Sequence, residues 1–376
     1  MPVCTGCGAT VVIARCPVCD TEMYPADDAH FPPVTWAEVR DHITAQLLID
    51  DEWRVDDEAS LTWWPWFLHQ TIYVDAEGEW EDDEPGQNFL HVVARTNVGR
   101  VEKDLGLEIC AAWNADFPLG AFVWDDGVLF VISTLSLNPL CRELLPWFHE
   151  AVLAQATFAH LAALQLRENP GVEILATGHP QTGAREEPDE LLSIFAGETR
   201  GDGVEMPGLE DALATARRIY QQRFEEMGWE PGFRNEDVDF FTGSRVECAI
   251  GRVDGSELAL RFGLGLVVWV RLTRPGVVLD DDTVNSMHIA LAAMPRCTLI
   301  GRLQGDESGP EHGTQLHSYL PMGFLGRLRT APDALAISIL NAALHCSTTI
   351  TQFLIDVDRI AADATAADDG GSAPQP

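Results

Sequence analysis

A displacement of 176 residues lays one half of this chain on the other. It sets Trp53 on Trp229, Leu90 on Leu266, Val92 on Val268 and Arg95 on Arg271, and a displacement of 177 then sets Pro118 on Pro295. An offset this steady, with few identities, reads as an old duplication of one supersecondary plan. The plan in each half is helix, strands, helix, hairpin, long helix. That order predicts an α+β fold: two tandem copies of an antiparallel sheet with helices on one face.

The local signals in the first copy are plain. Thr35 is an N-cap with Glu38 three residues on, and Val39, Ile43, Leu47 and Leu48 follow at helical spacing. Strands are expected over Leu61 to Val74 and Phe89 to Thr96. A second helix runs from about Val101 to Asp116, with Pro118 at its end. Asp125-Asp126-Gly127 between two apolar runs is a hairpin turn, and a long apolar helix covers about Leu144 to Leu166. The resulting division is a cysteine segment at 1–24, a first domain at 35–166, a linker at 167–207, a second domain at 208–360 and a disordered tail at 361–376. The linker is rich in Gly, Pro and acids, with one short helix near Asp189–Phe195.

The cysteine segment reads Cys4-Thr-Gly-Cys7, eight residues, Cys16-Pro-Val-Cys19. Each pair forms a knuckle that brings two thiolates to one ion, and four thiolates close a tetrahedral shell with no open position. Cys4, Cys7, Cys16 and Cys19 are therefore expected to hold one structural zinc in a short zinc ribbon. Iron in the same shell and unligated cysteines are the rival readings. So short a segment cannot fold by burial alone, so the metal would supply its folding energy. The other five cysteines (Cys110, Cys141, Cys248, Cys297, Cys346) are scattered in apolar surroundings, which is the usage of a reducing compartment.

Composition bounds the partners. The formal net charge is −35, from 24 basic and 59 acidic residues. Such a surface repels nucleic acid and anionic lipid, since phosphate binding needs Lys and Arg. The charge serves solubility, or else it attracts a basic partner. No apolar run reaches the ~18 residues of a membrane span, and no signal pattern opens the chain. A cytoplasmic protein is expected.

No catalytic motif emerges. There is no nucleophile elbow, zinc-protease helix or P-loop. His312 and His317 near Glu311 read as loop and strand histidines, and Asp280-Asp281-Asp282 reads as a helix N-terminus. Glu81-Asp82-Asp83-Glu84 reads as a solvated turn, and His149 and His160 read as packed helix residues. The chain is expected not to be an enzyme. Trp63, Trp64, Trp66 and Phe67 are the candidate partner-binding residues. Alternation along one strand would put Trp64 and Trp66 on one face and Trp63 and Phe67 on the other. One face covers helices; the other either packs under a loop or helix or presents aromatics to a partner.

The layout resembles the type III secretion chaperone fold, in particular its YbjN-like branch. The resemblance is carried by Thr35-Trp36 with Trp53 after the first helix, by Phe89-Leu90-His91-Val92-Val93-Ala94-Arg95, by Ala112-Trp113-Asn114 entering Phe117-Pro118, and by Gly120-Ala121-Phe122-Val123-Trp124 with its turn. In the second copy it is carried by Leu266 to Leu272, Asn285 to Pro295 and the helix from Pro332. It implies a bacterial, non-enzymatic peptide- or protein-binding chaperone that takes a client on exposed sheet and helix surfaces, with the tandem copy forming an intramolecular pseudo-dimer. The rival reading is a regulatory or scaffold subunit that docks to a larger complex through its ribbon.

Overall fold

The computed structural model describes residues 34–79, 88–116, 120–137, 145–192, 230–235, 238–242, 246–253, 265–272, 280–293, 302–306 and 313–321. The zinc ligands Cys4, Cys7, Cys16 and Cys19, the turn Glu81–Glu84, the helix from Pro332 and the tail lie outside the described residues.

Helix α1 spans Trp36–Gln46, and the Thr35 hydroxyl accepts from the backbone N–H of Glu38 at 3.3 Å, the N-cap the sequence signals. A single 3-10 turn, Asp51–Trp53, leads into β1 (Arg54–Asp56). Then follow β2 (Ser60–Trp63), β3 (Gln70–Glu79), β4 (Asn88–Val101), α2 (Lys103–Asp116), β5 (Ala121–Asp125), β6 (Val128–Leu137), α3 (Leu145–Leu166) and β7 (Val172–Ile174). The strands form one seven-stranded antiparallel sheet in the order β1-β2-β3-β4-β6-β5, with β7 pairing the C-terminal end of β4. Asp126 (φ 46°) and Gly127 (φ 79°) make the β5–β6 turn, where two left-handed residues match the twist of the hairpin.

Two expectations need correction here. The run from Leu61 to Val74 is two strands, because β2 stops at Trp63 and β3 starts at Gln70. Pro65 sits in the break, where it can donate to neither ladder. Residues 167–192, read as linker, are built onto the first sheet: β7 pairs Gly99–Val101, and the segment beyond it packs on the residues between β2 and β3.

Helices α2 and α3 lie on the same face. Trp113 of α2 packs on Phe122 of β5 (centroids 5.3 Å apart) and edge-on to Phe158 of α3 (6.5 Å). Beneath α3 the inward residues of the central strands, Leu90, Val92, Ala94, Leu129, Val131 and Leu135, are buried. This is the core. A chain of buried amides runs through it, and each proton has a partner: Trp63 Nε1–H donates to Gln70 Oε1 at 2.7 Å, Gln70 donates to Val152 O and Gln155 Oε1, and Gln155 donates to Ala94 O and Val131 O.

In the second half, β8 (Glu230–Asn235), β9 (Val238–Thr242), β10 (Val246–Val253), β11 (Gly265–Leu272), α4 (Asp281–Ala292), β12 (Arg302–Asp306) and β13 (Gly313–Pro321) follow in chain order. Their sheet order is β8-β9-β10-β11-β13-β12. Helix α4 starts at Asp280, whose carboxylate accepts from Thr283 N–H at 2.8 Å, with Asp281 and Asp282 in the first turn. Hydrogen bonding from the Thr283 side chain and then its backbone, with Lys103 nearby, holds the Asp280 carboxyl below its ordinary range.

Candidate functional site

The candidate aromatic residues are mostly interior. Trp63 is 0% exposed, Trp64 6% and Phe67 9%, and Trp66 is half-buried. Trp64, Trp66 and Phe67 are tied to the chain's own segment 177–189, while Trp63 bonds Gln70 in the core. Thr177 N–H donates to Phe67 O (2.8 Å), Asp189 N–H to Pro65 O (2.7 Å) and Arg185 Nη1–H to Trp64 O (2.9 Å), while Trp66 Nε1–H donates to Glu186 O (3.2 Å). His179 stands edge-on to Trp64 with centroids 4.8 Å apart, and the Arg185 guanidinium lies 5.1 Å from the centre of the Trp53 ring. Arg185 also pairs with Asp189 at 3.2 Å. The alternative in which a loop covers the aromatics therefore describes this cluster, and of the four only Trp66 retains substantial exposure.

His160 anchors the same cluster from α3. Its Nδ1–H donates to Ala156 O (2.7 Å) and its Nε2 accepts from Leu68 N–H (3.1 Å), which fixes the neutral tautomer. Burial, with Arg167 nearby, lowers its pKa to about 4. On the other end of α3, His149 meets His42 of α1 at 3.0 Å, and burial with that neighbour lowers His42 to about 4. Cys110 is buried and its thiol is pushed well up by desolvation, the environment of an unreactive core thiol. Among the described residues, no three His, Cys, Asp or Glu side chains gather to hold a metal ion, and no helix is long and apolar enough to cross a membrane.

The sheet face opposite α2 and α3 is also occupied. His91, Val93, Phe130, Ile132 and Thr134 are buried, and His91 Nε2 donates to Ala292 O, at the end of α4, at 2.9 Å. Arg95 lies over the Phe130 ring at 3.7 Å and donates to Asn97 Oδ1. An open sheet face for a client is not what the first sheet offers.

Its edges are guarded as well. At β5, Asn114 of α2 exchanges two hydrogen bonds with the Phe122 backbone (2.7 and 2.9 Å), and Asn285 of α4 exchanges two with the Trp124 backbone (2.8 and 2.7 Å). At the other edge β1 has three residues, carries the Arg54–Asp56 ion pair (3.6 Å) and has the Arg54 carbonyl capped by His179. Four large apolar side chains among the described residues are exposed: Leu48 (71%), Val55 (40%), Leu161 (38%) and Leu164 (36%). Leu161 and Leu164 are one helical turn apart near the end of α3, which is buried without interruption from Ala151 to His160.

Comparison with family models, with curated proteins and with solved structures gives no match to the chain. The sequence missed the asparagine pairs at β5 and the covering segment, because each joins residues far apart in the chain. A weak signal for the second was present: Gly178, Pro180, Gly183 and Pro188 punctuate the segment in the manner of a packed turn.

Proposed function

We propose that this chain is a non-enzymatic, chaperone-like module that binds a peptide or protein client, built as two copies of one domain that pack as an intramolecular pseudo-dimer. The observation that carries the reading is the strand order. Both sheets place four successive strands, then the sixth, then the fifth at the edge, and each inserts a helix after the fourth; the first sheet adds β7 on β4. The registers agree with the offset: Thr71 opposes Arg95 in the first sheet, and Glu247 opposes Arg271, each 176 residues on, in the second. A one-residue slip would turn each side chain to the other face, so a shared register is a demanding coincidence. The helix contacts are reciprocal too: α2 touches β12, α4 touches β5, and the two helices touch each other. That is the pattern of a two-fold pairing.

The client-binding role rests on the type III secretion chaperone resemblance of the sequence. With the first sheet's faces and edges occupied, the client surface we assign is the exposed end of α3, through Leu161 and Leu164, with Trp66 beside it on the covered aromatic cluster. A permanently unfolded, reduced model protein is the probe. The full chain should bind it, and L161E/L164E should weaken binding by about tenfold or more, as loss of interface anchors does. Both positions are exposed, so thermal stability should hold. No binding by the parent chain overturns the reading. The double Cys-x-x-Cys favours a second role, docking of the ribbon to a larger complex. Pull-downs with and without residues 1–24 separate the two.

A further inference from the structure

Strand β5 ends its sheet, with no strand beyond it among the described residues, yet both residues that face outward along its backbone have full sets of hydrogen bonds. Phe122 and Trp124 are two apart, so their N–H and C=O groups point the same way. A primary amide carries one acceptor and one donor side by side, the same pair that a neighbouring strand residue presents. Asn114 supplies that pair to Phe122 from α2, 8 residues away. Asn285 supplies it to Trp124 from α4, 161 residues away.

Helix α4 meets the first unit along one stripe. Asp282 pairs with Lys103 Nζ at 2.9 Å, Asn285 pairs with Trp124, and Ala292 O receives the His91 imidazole N–H. The spacing of three and then seven residues keeps all three on one side of the helix. Of these contacts the Asp282–Lys103 pair is exposed and salt-screened. The Asn285 pair is the one with directional bonds in both senses.

We infer that Asn285 sets the register between the two halves of the chain, and that α4 is a surrogate edge strand that closes β5 to every other strand. An incoming strand, from a client or from a second copy of this chain, needs the same backbone groups of Phe122 and Trp124 and must expel both asparagines. The offset gives no matching pair at β12: counting 177 back from Asn285 reaches Glu108, and 177 on from Asn114 reaches Leu291, neither of which is an amide. The inference does not depend on the client reading, and the experiment below leaves that reading untouched.

The test is residue-resolved amide exchange in the full chain. Alanine is a better helix former than asparagine, so N285A leaves α4 itself intact. In N285A the Trp124 N–H should exchange about tenfold faster, as loss of one hydrogen bond allows, with Phe122 unchanged. The N285A/N114A chain should self-associate at least about tenfold more tightly than the parent in sedimentation, through the opened edge. D282A, which removes only the screened ion pair, should leave Trp124 exchange within about twofold. The inference falls if Trp124 exchange in N285A equals that of the parent, if Phe122 accelerates with it, if D282A has the same effect as N285A, or if the double variant associates no better than the parent.

Discussion

The Gln155 side chain donates from α3 to the Ala94 carbonyl of β4 at 2.8 Å, and receives the Gln70 amide of β3 on its own oxygen. One fully buried side chain thus ties the long helix to three neighbouring strands, because Val131 O of β6 takes its second proton. Replacing it with leucine keeps the volume but leaves a Gln70 N–H without an acceptor in the core. Gln155→Leu should cost about 2–3 kcal/mol in chemical denaturation, the penalty for stranding a buried donor. Gln70→Leu/Gln155→Leu should cost less than the sum of the two single changes, since the Gln70 N–H that Gln155→Leu strands is then gone and only the Trp63 Nε1–H is left without its acceptor.

Gly106 of α2 is held against the Trp124 indole. A Cβ built on Gly106 would lie 2.2 Å from Trp124 Cδ1, well inside contact distance. The ring cannot simply swing away, because its Nε1–H donates to Val101 O at 2.9 Å. Alanine usually stabilises a helix interior relative to glycine by about 1 kcal/mol. Here Gly106→Ala should instead destabilise by about 1–3 kcal/mol, the range for overpacking. A rise in the urea midpoint would show that α2 shifts freely on β5.

How much of this was legible follows from range. The Thr35 cap, the Asp126-Gly127 turn and the Asp280 cap are written within four residues each, and all three form as read. The bounds of α2, α3 and the β5–β6 hairpin follow apolar periods long enough to count. Strands β1 and β7 have three residues each, too few to show any period. The break at Pro65 was hidden by its aromatic neighbours, whose bulk suits a strand. The site was less legible than the fold. Whether Trp64 faces solvent or a covering segment depends on Thr177 through Asp189, and no pattern near Trp64 records them.

His160 makes a signed pH prediction. Its folded pKa is lowered to about 4 from an ordinary 6.5, by burial first. Between those values the unfolded chain carries the proton and the folded chain does not. The unfolded state therefore binds more protons, and stability rises with pH through this window. It is fully present above about 6.5 and is lost as pH falls toward 4. The cause is local: a proton on Nε2 would face the Leu68 N–H that this nitrogen now accepts. Acidification from pH 7 to 5 should lower the denaturation midpoint, and His160→Gln should flatten that slope. An unchanged slope would place the titration on His42, His69 or His91, which burial also lowers.

The cysteine segment gives the last expectation, and it rests on ligand chemistry alone. Four thiolates from two Cys-x-x-Cys pairs would suit a closed tetrahedral zinc site. Purified full-length protein should carry one zinc per chain. Cys16→Ser/Cys19→Ser removes two ligands, and two thiolates do not hold the ion against a chelator. The variant should be zinc-free, while its first sheet, whose core under α3 is built by described residues within 34–192, should unfold at the parent's midpoint. Because thiolates must shed protons to bind, zinc should leave the parent chain as pH falls. Elemental analysis that finds no zinc in the parent, or equal zinc in parent and variant, removes the ribbon as a metal site. Iron in place of zinc would show as a visible absorption band that the zinc form lacks.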